Sequence, residues 1–237
     1  MRLLELFSGT HSVGKVAEKK GFTVTSLDRD LSEKCPFDTG YKSKKHFKMD
    51  IMDFDYKQFE KGHFDLITAS PVCLWWSHCR VSNIGKVLKC HTEPLSHELI
   101  MEDIEKYGIP MIDRVLEIIE YLEPKHFWIE NPQTGKMKDY LNDLIPYTDV
   151  DYCKYGFDYR KRTRIWTDIP YEGKLCKKDC PAIVKKGKLC FHRSNCGNTK
   201  YANLAKDSNC GNGRNSKLER YRLPEPLIYD LLNAVDW

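Results

Sequence analysis

The first two thirds of the chain alternate short apolar runs with segments whose apolar residues recur at helical spacing, and few architectures accept that pattern. Leu3 to Phe7 (LLELF) reads as a buried strand. HSVGKVAEKKG follows, with Val13, Val16 and Ala17 on one helical face and Gly21 placed as the stop. FTVTSLD is a second strand ending at Asp28, FDLITAS a third, and His126 to Asn131 (HFWIEN) another. A helical stretch over roughly 97–122 separates the last two. Pro110 interrupts it, and Ile112, Val115, Leu116, Ile119 and Leu122 then keep helical spacing. Strands alternating with helices predict an α/β fold with a doubly wound, mostly parallel sheet covered on both faces. Ligands of such sheets sit beyond the carboxyl ends of the strands. Ser8, Gly9, Asp28, Cys73 and Glu130 all follow predicted strands, so they are expected on one rim.

At 237 residues the chain suits one domain with an appendage. No apolar run approaches the ~18–20 residues of a membrane span. The opening MRLLELFSGT passes from a short apolar patch into a patterned segment and does not read as a signal peptide. The expectation is a soluble, intracellular protein of a reducing compartment. Its ten cysteines are then better explained by metal ligation, catalysis or burial than by disulfides.

After TRIWTDIP the texture changes. Residues from Tyr171 to about Leu218 are rich in Lys, Gly, Asn and Cys, with little periodicity. Thirteen basic but only seven acidic residues lie from Tyr171 onward. That surplus fits contact with a polyanion and equally fits a solvated lysine-rich surface. The chain closes with RLPEPLIYDLLNAV, where Pro224 and Pro226 open a helix with Leu227, Leu231, Leu232 and Val235 on its apolar face. The predicted organisation is a catalytic and cofactor-binding α/β domain over 1–168, a small basic Cys-rich segment over 169–221, and a C-terminal helix over 222–237 that returns to the first domain.

Several residues carry chemistry. Gly9, directly after the first strand, lets a ligand approach the backbone. Asp28 ends the second strand, where acidic groups hold ribose hydroxyls in nucleotide-binding sheets. Asp50 is a third candidate on this rim, and for each of the three a plain loop or cap role competes. Cys73 follows a strand-ending proline, a position that suits a nucleophile, although buried cysteines are usually structural. Glu130 and Asn131 end another strand. Arg160, Arg162 and Arg164 alternate, which puts their guanidinium groups on one strand face where they could clamp phosphate or hold a carboxylate.

Taken in order, these stretches resemble the motifs of the cytosine-5 DNA methyltransferases along nearly the whole chain. LFSGTHSVG resembles the cofactor-binding motif, with Phe7 and Gly9 in place and His11 where glycine is commoner. Asp28 stands at the ribose-binding position, and Asp50–Ile51 resemble the adenine-contacting motif. SPVCLWWS resembles the Pro-Pro-Cys nucleophile loop with Val72 replacing the second proline. Glu130–Asn131–Pro132 resembles Glu-Asn-Val, and RKRTR resembles Gln-x-Arg-x-Arg with Arg160 in the glutamine position. RLPEPLIYDLL is similar to the last motif without its Gly-Asn pair.

The resemblance implies a Rossmann-like class I methyltransferase fold and S-adenosylmethionine bound by Phe7, Ser8, Gly9, Thr10, His11, Asp28, Asp50, Ile51 and Pro71. It also implies a double-stranded DNA substrate whose target cytosine is flipped out. Cys73, activated by its surroundings, would attack C6, and Glu130 would hold and protonate N3. Asn131 would position that carboxyl and the nucleophile loop, Arg164 would contact the base, and Arg162 would orient loop or backbone. The same chemistry serves RNA (tRNA) methylation in a few relatives, and the motif departures also fit a binder without turnover. Trp75 and Trp76 are expected in the core rather than wedged against DNA.

The Cys-rich segment stands where the family carries its target-recognition region, and its small size suggests short targets or weak specificity. Cys176, Cys180, Cys190 and Cys196, or His192 in place of the last, offer a tetrahedral zinc site. Unliganded cysteines in a basic loop are the competing reading. A monomer with no membrane partner is expected.

Overall fold

The computed structural model describes residues 1–29, 43–194 and 220–237. Its main sheet has seven strands in the order β3-β2-β1-β4-β5-β7-β6. They are β1 (Arg2–Leu6), β2 (Thr23–Asp28), β3 (Lys45–Lys48), β4 (Leu66–Ala69), β5 (His126–Pro132), β6 (Tyr147–Asp151) and β7 (Arg162–Thr167). All neighbours pair in parallel except β7, which runs antiparallel to both β5 and β6. This is the predicted doubly wound, mostly parallel, Rossmann-like architecture. Strand order reverses direction between β1 and β4, so the crevice for a ligand opens beyond their carboxyl ends.

The apolar runs are continuous because the sheet is buried on both faces. Successive residues of each central strand enter different cores. Leu4, Ile67, Ile129 and Trp166 join one, whereas Leu3, Leu66, Trp128 and Ile165 join the other. The first core is covered by α3 (Ile109–Leu122) through Ile112, Val115, Ile118 and Leu122. The second is covered by α1 (Ser12–Lys19) and by the last helix, Glu225–Leu232, through Leu227, Ile228, Leu231 and Leu232. Burying each such aliphatic side chain stabilises the fold by roughly 1.5–3 kcal/mol before chain entropy is counted.

Gly21 (φ 87°) ends α1, and the Phe22 and Gly21 N–H groups reach back to the Ala17 and Glu18 carbonyls. Pro110 does not interrupt the long helix in the way its sequence suggests. α2 (His97–Asp103) continues through a π turn, Ile104–Gly108, straight into α3, with Pro110 in its first turn. Proline lacks an N–H and crowds the carbonyl four residues back, and the widened turn just ahead of it accommodates both.

Two elements were not visible as patterns. β6 reads as half polar because Asp149 and Asp151 serve the neighbouring arginines. A hairpin of β8 (Ile183–Lys186) and β9 (Leu189–His192) lies inside the aperiodic segment. The remaining helix, α4 (Met137–Leu141), follows β5. Among the described residues no helix is long and apolar enough to cross a membrane.

Candidate active site

The rim of the sheet is built in strand order: Asp50 beyond β3, Asp28 at β2, Phe7 to Gly9 after β1, Pro71 to Cys73 after β4, and Glu130–Asn131 in β5. In the loop after β1, Phe7 (φ 57°), Gly9 (φ 42°) and His11 (φ 51°) all adopt left-handed backbone. Such strain in non-glycine residues concentrates at functional sites. The Gly9 N–H donates to Asp28 Oδ2 at 2.8 Å, locking this loop to the end of β2. Asp50 caps the short turn Ile51–Asp53, accepting from the Met52 N–H at 3.0 Å, and its other oxygen lies 3.4 Å from Arg29.

Cys73 is half-buried. Its loop is held by Asn131, whose Nδ2 donates to the Pro71 carbonyl at 2.8 Å in a buried hydrogen bond. Burial pushes the Cys73 thiol up; the Lys161 ammonium opposes that shift and the Glu130 carboxylate adds to it. Desolvation of the thiolate thus outweighs the Lys161 charge in the free protein.

Glu130 is nearly inaccessible. Its Oε1 accepts from Tyr152 OH at 2.9 Å, and Lys161 Nζ lies 3.6 Å from the same oxygen. Lys161 also sits 4.7 Å from the Tyr152 ring centroid. Burial and the adjacent carboxylate push the Tyr152 phenol well up, so it remains a proton donor to Glu130. Neither residue was singled out from the sequence. The signal for Lys161 was present, since alternation that sends three arginines to one face sends the residue between them to the other.

The arginines hold carboxylates, one of the two roles their alternation allowed. Arg160 and Arg162 both bind the fully buried Asp151, Arg162 through Nη2 at 2.7 Å. Arg164 binds Asp149 at 2.7 and 2.9 Å and Asn142 at 3.0 Å, with its guanidinium 3.7 Å from the Tyr147 ring centroid. Register explains this: Asp149 faces Arg164 and Asp151 faces Arg162 across β6 and β7. Neither Arg162 nor Arg164 lines the cavity at the rim, so the roles of base contact and loop orientation have no geometry behind them here.

That cavity has a volume of about 670 Å³ and brings together Phe7, Ser8, Gly9, Thr10, Asp28, Asp50, Ile51, Pro71, Cys73, Glu130, Asn131 and Lys161. Its size suits a small-molecule site. Asp28 and Asp50 offer acceptors for hydroxyl and amino groups, and Phe7, Met49 and Ile51 offer an apolar slot for a flat ring. Ser8 Oγ and Thr68 Oγ1 are buried at the lining without a hydrogen-bond partner among the described residues. This donor set fits S-adenosylmethionine. His11 does not line the cavity. It is buried 3.6 Å from Glu5 with its ring edge-on to His46, where a left-handed backbone, not a ligand, explains the usual glycine. Trp76 is in the core as expected, and Trp75 packs against the same core, partly buried, while also lining the cavity and stacking on Tyr107 at 4.6 Å.

The cysteines of the basic segment also regroup. Cys176 and Cys180 join Cys153 and His192, with all four ligand atoms within 4.8 Å of one another. Cys190, two residues before His192 on β9, is not in this group, and Cys196 lies outside the described residues. Cys153 was missed because it precedes the Cys-rich segment, in the 3-10 turn Tyr152–Tyr155 after β6.

No protein-family model matches the chain. A curated relative, the probable DNA (cytosine-5)-methyltransferase of Frog virus 3 (isolate Goorha), is 37% identical over 241 residues, covering 98% of this chain and 99% of the relative. Among solved structures, a mutant of Spodoptera frugiperda DNMT2 aligns at 13% identity with a TM-score of 0.47, over 74% of this chain and 55% of that one. S. pombe Dnmt2 aligns at 15% identity with a TM-score of 0.42, over 79% and 58%. The chain thus spans little more than half the length of either Dnmt2 structure. Full-length identity to the viral relative, on a class I methyltransferase sheet, places this chain in the cytosine-5 methyltransferase family.

Proposed function

We propose that the protein methylates C5 of cytosine in DNA through a covalent Cys73–C6 adduct, with the target base swung out of the duplex. The observation that carries this reading is that Cys73, Glu130, Asn131 and Lys161 share one cavity with the Phe7–Asp28–Asp50 rim. The name of the viral relative supports DNA as the substrate.

Phe7, Ser8, Gly9, Thr10, Asp28, Asp50 and Ile51 would hold S-adenosylmethionine, which supplies an electrophilic methyl group when bound. Cytosine C5 is a weak nucleophile. Addition of the Cys73 thiolate to C6 forms a C–S bond and turns C5 into an enamine carbon. The proton that the thiol gives up passes through the Glu130 carboxylate to N3, drawing electrons from C6 as the sulfur attacks. Tyr152 and Lys161 fix the carboxyl for that contact, and Asn131 holds the thiol loop through the Pro71 carbonyl. After C5 is methylated, its proton leaves to solvent, the electron pair expels Cys73 as thiolate, and the N3 proton returns through Glu130 to the sulfur. A base inside a duplex cannot reach a cavity of this kind, so the nucleotide must leave the stack.

A trapping experiment tests the chemistry and the substrate together. A duplex with 5-fluorocytosine at target positions, incubated with enzyme and S-adenosylmethionine, is expected to give a denaturant-stable protein–DNA adduct. Fluorine at C5 cannot leave as a proton does, so the adduct accumulates. An adduct with the matching RNA alone would replace DNA by RNA, and none with either would remove the covalent mechanism.

A further inference from the structure

We propose that Cys153, Cys176, Cys180 and His192 form a structural zinc site that staples the Cys-rich segment to the catalytic domain. The group is a set of soft sulfur and imidazole donors that suits tetrahedral zinc. With zinc–sulfur bonds of ~2.3 Å and zinc–nitrogen bonds of ~2.0–2.1 Å, tetrahedral angles separate a sulfur from a nitrogen ligand by roughly 3.6 Å and two sulfurs by roughly 3.8 Å. Cys176 Sγ lies 3.5 Å from His192 Nε2, and no pair in the group exceeds 4.8 Å. The three cysteines are buried together with Ala182, away from the cavity at the rim.

Lys178 adopts a left-handed conformation (φ 64°) between the two cysteines, a strain that a closed ligand loop would compensate.

The four ligands come from two places. Cys176, Cys180 and His192 belong to the segment whose only regular structure among the described residues is the β8–β9 hairpin, and an isolated hairpin is marginal in water. Cys153 belongs to the turn after β6, one residue from Tyr152, which holds Glu130. Two further contacts run along the same seam. The Cys176 N–H donates to Asp151 Oδ2 at 2.8 Å, and Lys154 pairs with Asp179 at 2.9 Å. A metal here would fix the substrate-facing segment directly to the support of the catalytic carboxylate.

Metal analysis of the full chain, purified without chelator, is expected to find one zinc per protein. Replacing it with cobalt(II) should give the visible bands of a tetrahedral thiolate site. Single variants Cys153→Ser, Cys176→Ser, Cys180→Ser and His192→Ala should each lower zinc affinity by more than ~10-fold, the least that even outer-sphere changes cost. His192→Cys should restore binding, which separates ligand loss from misfolding, and Cys190→Ser and Cys196→Ser should bind as the wild type does. Stoichiometric absence of metal, an octahedral cobalt spectrum, or a disulfide among the three thiols would overturn the site. So would zinc retained in Cys153→Ser but lost in Cys190→Ser.

Discussion

Tyr152 and Lys161 decide how Glu130 can act, because they are the two groups that reach its buried carboxyl. Tyr152→Phe removes the phenolic donor and leaves packing intact. A hydrogen bond to a charged group contributes about 1.5–3 kcal/mol, so kcat for methyl transfer is expected to fall roughly 10- to 100-fold, and the thermal midpoint by about 2–4 °C for each kcal/mol lost. Lys161 acts on the thiol as well. Since burial holds the Cys73 thiol above its ordinary range, the thiolate fraction is small at neutral pH and grows as pH rises. Methyl transfer should therefore increase with pH above neutrality. Lys161→Met removes the opposing charge, so this rise should move to higher pH, with about a tenfold lower rate at neutral pH for each unit of displacement. A pH profile of kcat/KM that does not move would assign Lys161 to packing alone.

At the scale of elements, the β6–β7 pair and the strand-like stretch beside it carry the support of the site. Asp151 is fully buried, binds Arg160 and Arg162, and accepts from the Cys176 N–H. Asp151→Asn should cost about 3 kcal/mol, the low end for a broken buried pair because both arginines reach solvent. Urea denaturation at neutral pH measures it. Gly173 lies against β6 so closely that a Cβ would collide with the Asp149 carbonyl and come within 2.8 Å of Val150 Cγ1. Gly173→Ala should destabilise by about 1–3 kcal/mol through overpacking, read as a lower denaturation midpoint.

The elements also show how far sequence patterns reach. β1, β2, β4 and β5 are legible because a sheet buried on both faces needs unbroken apolar runs. β6 is not, since its alternate residues Asp149 and Asp151 answer charges on β7 rather than contribute to a core. The rim positions of Gly9, Asp28, Cys73, Glu130 and Asn131 follow from strand ends alone. Which face Arg162 and Arg164 meet does not, because that depends on the register of β6 against β7. The inclusion of Cys153 in the cysteine group likewise depends on the chain returning to a distant turn.

On the scale of the whole molecule, strand order brings two kinds of chemistry side by side. The acidic and apolar rim after β1, β2 and β3 adjoins the thiol and carboxyl after β4 and β5, and the switch between β1 and β4 lets one cavity span both. The last helix closes the second core against α1. The central claim is that this rim turns Cys73 into the nucleophile of DNA methylation. The measurement that tests it most directly is tritiated methyl transfer from S-adenosylmethionine to unmethylated duplex DNA, wild type beside Cys73→Ser. The account predicts label at cytosine C5 with the wild type and none with the variant, both proteins binding cofactor equally. Label that persists in Cys73→Ser, or that never appears on DNA, would contradict it.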